Sequence, residues 1–147
     1  HTNGDILVYI PSERVVFTGD ILFIEGHPIL WSGPIKNWIG ACERIISMDL
    51  EFVVPGHGPV TDKKGVQAVK DYLIYIDTES RKRYRAGMNA LEAAKDINLD
   101  LFSTWGDGER IAVNVNSLFR EYKGEEKREE ITLLFQQMAE LKGFSDE

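Results

Sequence analysis

The chain has 147 residues, a formal net charge of −7, three histidines and one cysteine. That length supports one domain with a sizeable core. The lone Cys42 excludes an internal disulfide framework, and no run approaches the roughly 18 consecutive apolar residues of a membrane span. The acidic balance argues against nucleic acid, whose phosphates call for a basic face.

Ile6 to Ile10 is a first strand candidate, Pro11-Ser12-Glu13 a turn, and Arg14 to Thr18 a second strand. Two apolar runs joined by a short polar turn predict an antiparallel hairpin. Both runs are nearly continuously apolar, which predicts a sheet covered on both faces. Gly19 allows a sharp turn after the second strand, and Asp20 is expected at that strand's carboxyl end. A short carboxylate on a rigid strand end is a good way to present a hard oxygen ligand to a metal. Ile21 to Gly33 is expected as a loop carrying Phe23, Ile29, Leu30 and Trp31, either a pocket wall or lid near Asp20 or simply core packing.

From Pro34 to Met48 apolar residues recur at helical spacing, with Ser32 as the expected cap and Pro34 in the first turn. Cys42 lies on that apolar stripe and is read as inert core. Phe52-Val53-Val54 reads as a short buried strand ending in Pro55-Gly56-His57-Gly58-Pro59. Thr61 is the expected cap of a second helix whose stripe is Val66, Val69, Leu73 and Ile76. Beyond Asp77 no strand run appears. Asn89 is expected to cap a short helix. Leu99 to Gly108 is irregular, with Phe102 and Trp105 inward. Helices are expected over Glu109 to Lys123 and over Glu126 to Lys142, the last with Ile131, Leu134, Phe135, Met138 and Leu141 inside. Glu109 and Arg110 read as capping and solvation, and the acidic run Glu125 to Glu130 as a solvated helix face. The pattern divides at about residue 77: mixed α and β before, a helical extension after.

Zinc and similar ions bind imidazole nitrogens and carboxylate oxygens. His1, Asp20 and His57 each stand beside an expected strand, and together they are read as converging on metal. His27, in Gly26-His27-Pro28, could touch substrate or protonate a leaving group, or could be an exposed loop histidine. Asp5 could orient a ligand or merely open a strand.

His1-Thr2-x-Gly4-Asp5, then Phe17-Thr18-Gly19-Asp20, then Pro55-Gly56-His57-Gly58 resemble the three later motifs of the metallo-β-lactamase fold superfamily. The resemblance covers roughly residues 1 to 76. It implies an αββα sandwich, of which this chain would be the second half (residues 1–77) followed by a helical extension (78–147). It also implies that His1 matches the third histidine of a first metal site. Asp20 would be the aspartate that bridges two metals or binds the second, and His57 the last histidine of the second site. The family's leading signature, His-x-His-x-Asp-His, occurs nowhere here, so the chain is expected to be the later part of a longer polypeptide.

The resemblance implies a metal-dependent hydrolase with Asp20 at the reacting centre, and His27, in the loop after Asp20, is the second catalytic candidate. A metal-activated water would attack an ester, thioester, lactone, amide or phosphoester of a small-molecule substrate. Two Zn²⁺ would fill the complete site, with Fe or Mn possible. The chain alone, lacking half the ligands, is expected to be inactive, to bind metal partially or not at all, and to self-associate through an open apolar face. Its expected partner is the missing first half of the fold, not a membrane or nucleic acid; a cytoplasmic location is expected. The alternatives are an iron-dependent redox member of the same fold, or a non-catalytic oligomerisation module.

Overall fold

The structure, a computed structural model, describes residues 4–125 and 130–143. It is a mixed α/β fold: a three-stranded sheet, two helices against one of its faces, and a helical extension. The strands are β1 (Val8–Ile10), β2 (Val15–Phe23) and β3 (Phe52–His57), in that spatial order. As the sequence predicts, β1 and β2 form an antiparallel hairpin, closed by a 3-10 turn over Pro11–Glu13. The β2–β3 pairing is parallel, and the crossover between them is α1 (Ile35–Ser47).

Alternation decides which side of the sheet meets the helices. Val16, Thr18 and Val53 point inward and are fully buried. Val8, Phe17 and Phe52 point outward, and Phe17 and Phe52 remain 44% and 49% exposed. Among the described residues the sheet is therefore covered on one face only. The nearly unbroken apolar pattern marks strands with two apolar faces, and among the described residues one of them is covered.

β2 runs well past the expected end at Thr18, which shortens the expected loop. Its pairing with β3 survives Gly19 through two register shifts. Phe17 faces Val54 and Phe23 faces His57, so β2 carries the excess residues and bulges out between these pairs. Gly19 takes φ +52°, the left-handed backbone that glycine adopts without steric cost.

The cap residues differ from expectation at two helices. Pro34 is the N-cap of α1 and offers no side-chain bond; instead the Ile35 N–H donates to the Glu121 carboxylate at 3.0 Å. A carboxylate from a distant helix thus does the work assigned to Ser32. At α2 (Lys63–Arg85) the cap is Asp62, whose carboxylate accepts from the Lys64 N–H. The stripe Val66, Val69, Leu73 and Ile76 is wholly buried, as read. The expected division at residues 77–78 falls inside α2, and buried residues from both sides of it share one core cluster.

The extension continues with α3 (Ala90–Asp96), capped by Asn89 in a reciprocal capping box with Glu92. Next come α4 (Ile111–Lys123) and α5 (Ile131–Gly143). Phe102 and Trp105 turn inward against Tyr72, matching expectation. On α5 only Leu134 is buried; Ile131 and Phe135, expected inside, are exposed. The helix expected to start at Glu126 begins at Ile131, and residues 126–129 of the acidic run lie outside the described residues. No helix among the described residues is long and apolar enough to cross a membrane.

Candidate metal centre

The β2 bulge and the end of β3 bring two of the sequence-predicted ligands together. Asp20 Oδ1 lies 3.2 Å from His57 Nε2. Both side chains are about half exposed, 42% for Asp20 and 53% for His57, so the pair opens to solvent. Ligands held at about 2.1 Å from one ion at the tetrahedral angle stand about 3.4 Å apart. The observed separation and the O/N donor set therefore suit a shared divalent cation.

Glycines make this approach possible. A Cβ on Gly56 would stand 2.5 Å from the Gly19 carbonyl carbon and 2.7 Å from Asp20 Oδ1. Gly58 has φ +89°, and a Cβ there would drive into the Ile24 carbonyl. The Ile24 N–H donates to the His57 carbonyl at 2.9 Å, and paired bonds between Val53 and Thr61 pin the turn behind His57. The Pro-Gly-His-Gly-Pro stretch thus lets two backbones pass closer than side chains would permit.

His57 is stacked on Phe23, with ring centroids 4.3 Å apart and planes 11° from parallel. Phe23 is buried in a small cluster with Ile29, Val113 and Leu134, with Trp31 and Met138 packed against it. Phe23, at the end of β2, is accordingly wall material beside the pair, with Ile29 of the following loop in its cluster, whereas Leu30 belongs to the main core. His1 lies outside the described residues. Among the described residues no group of three or more His, Cys, Asp or Glu side chains comes together around a possible ion.

His27 is neither exposed nor placed against this pair. It is 2% exposed, its ring edge-on to Tyr72 and Trp105. Its Nδ1 lies 2.9 Å from the Gly106 carbonyl; a carbonyl only accepts, so Nδ1 carries the hydrogen. Nε2 is buried without a hydrogen-bond partner among the described residues. The sequence reading missed this because Gly-His-Pro looks like a surface turn, and nothing local announces Gly106 as a partner.

Burial lowers the His27 pKa below its ordinary 6.5, outweighing the opposing hydrogen bond to Gly106. The folded chain then binds fewer protons than the unfolded chain just below pH 6.5. His27 therefore contributes stability that is full above that pH and is lost as pH falls towards the lowered value. In urea unfolding between pH 7.5 and 5, the wild type should lose stability more steeply than His27→Gln. The difference should reach at most about 1.4 kcal/mol per pH unit. Parallel profiles would refute it.

Cys42 is fully buried on α1, and burial pushes its thiol up to about 12. It is inert at neutral pH. Arg110, read from sequence as a solvating residue, is instead engaged at three points. It donates to the His27 carbonyl at 2.8 Å, pairs with Asp107 at 2.9 Å, and lies over the Phe23 ring. No spacing in the sequence marks it.

Residues 1–57 match the family model of the metallo-beta-lactamase superfamily. The chain is also 27% identical over 97 residues to a beta-lactamase-like protein 2 homolog from Caenorhabditis elegans. That alignment covers 66% of this chain and 30% of the relative, so the chain spans under a third of the relative's length.

Proposed function

We propose that the chain is a member of the metallo-beta-lactamase superfamily, whose family model matches residues 1–57, and that it is part of a metal-dependent hydrolase in which Asp20 and His57 hold the same divalent cation. The 3.2 Å approach of the carboxylate to the imidazole is the observation that carries this reading. A bound divalent cation such as Zn²⁺ supplies Lewis acidity and lowers the pKa of water beside it. Asp20 offers the hard anionic oxygen. His57 offers a neutral nitrogen, held in place by the glycines around it. Phe23 forms a dry wall against one side of the imidazole. The substrate class is an ester, thioester, lactone, amide or phosphoester.

Two ligands do not complete a hydrolytic site, and the open face of the sheet points to where the others come from. Val8, Phe17 and Phe52 form an apolar surface on the side away from the helices. The remaining half of the fold, carrying further ligands, would cover it. In its absence, a second copy would cover the same surface.

Zinc calorimetry on the 147-residue chain tests the ligand pair. Wild type should bind one ion weakly, and Asp20→Asn and His57→Gln should each abolish the heat. Retention of wild-type binding by both variants would overturn the pair. Hydrolysis of a panel of activated esters and thioesters should be negligible for this chain. Supplied with the rest of the fold, it should turn over, and both substitutions should stop it.

A further inference from the structure

We infer that Arg110, at the entrance to α4, is a positioning residue for His57, acting through Phe23. This rests on the reading of His57 as a metal ligand. A metal-bound histidine is ordinarily fixed by a hydrogen bond from its other ring nitrogen to a carboxylate or carbonyl. Here Nε2 faces Asp20. The nearly parallel Phe23 ring at 4.3 Å is a second restraint on the imidazole plane.

That ring is itself held. The Arg110 guanidinium also lies over this ring, its central carbon 5.3 Å from the Phe23 centroid. Ile29, Val113 and Leu134 belong to the same buried cluster as Phe23. Arg110 cannot drift, because Nη1 donates to the His27 carbonyl and Nη2 pairs with Asp107. The His27 N–H in turn donates to the Gly106 carbonyl. The phenyl ring thus links a guanidinium to an imidazole. The guanidinium comes from the helical extension and the imidazole from the metal edge of the sheet. The electron-rich faces of the phenyl ring favour the cation, and its flat stack favours one imidazole plane. The extension thereby sets how far the His57 ring can rotate about its χ2 angle.

The test uses the 147-residue chain with histidine rings labelled for NMR, with zinc calorimetry and thermal unfolding in parallel. In wild type the His57 ring protons should lie upfield of free histidine, shielded by the Phe23 ring. In Arg110→Met they should move towards the free value and zinc binding should weaken about tenfold or more, with Arg110→Lys restoring part of both. Phe23→Leu should abolish the upfield shift altogether. Unmoved His57 shifts in a folded Arg110→Met chain would overturn the inference, as would displaced shifts with unchanged zinc affinity. Should Arg110→Met not fold, Arg110→Gln, which keeps a donor for the His27 carbonyl, is read by the same criteria. If wild type binds no zinc, the ligand reading fails by itself, and the His57 shifts still decide whether Arg110 holds the ring.

Discussion

Alanine at Gly56 is expected to cost about 1–3 kcal/mol of stability and to remove zinc binding while leaving Asp20 and His57 in the chain. The added methyl would sit 2.5 Å and 2.6 Å from the carbon and oxygen of the Gly19 carbonyl, and 2.7 Å from Asp20 Oδ1. The first two neighbours are backbone, so no side chain can swing away to make room. β2 and β3 must separate where the bulge presents Asp20, and the carboxylate is carried away from the imidazole. Gly40→Ala is the control. Gly40 lies on α1 with nothing near an added methyl, so it should gain roughly 0.5–1 kcal/mol from helix propensity. Urea unfolding and zinc calorimetry on both variants check this. A Gly56→Ala chain with wild-type stability and wild-type zinc affinity would show that close strand approach does not build the pair.

How far the sequence could be read depends on how local each cause is. The α2 stripe Val66, Val69, Leu73 and Ile76, and the Asn89 cap, are set by neighbours three or four residues away, and both were legible. The approach of Asp20 to His57 was legible because glycines flank both residues and resembling motifs surround them. The length of β2 was not, because a bulge at Gly19 continues the pairing where local signals say it stops. The α1 cap was misread because Glu121 reaches it from α4. His27 and Arg110 are fixed by partners that lie far off in sequence, at Gly106 and Phe23. A polar side chain in a polar-looking stretch gives no sign of such a role. On α5 the described residues cover Leu134 but leave Ile131 and Phe135 exposed, so a helical stripe overstated its burial.

The same long-range logic makes Asn114 the most consequential polar side chain of the core. It is fully buried on α4. Its Oδ1 accepts from the Leu30 N–H at 2.8 Å, and its Nδ2 donates to the Pro28 carbonyl at 2.9 Å and the Tyr72 hydroxyl at 3.0 Å. One amide therefore fixes the loop that follows β2 to both α2 and α4. Asn114→Ala leaves a buried N–H and a buried carbonyl without partners and opens a cavity, which should cost about 2–4 kcal/mol. Asn114→Asp keeps the acceptor for Leu30 but loses both donors and buries a charge. At pH 7 it should be the worse of the two. It should recover as pH falls and the carboxyl takes up a proton, because burial raises its pKa in the folded chain above the unfolded value. Urea unfolding of both variants at pH 7 and pH 5 distinguishes these effects. A loss below about 0.5 kcal/mol for Asn114→Ala, the range of ordinary surface substitutions, would mean that water or a shift of the loop replaces all three bonds.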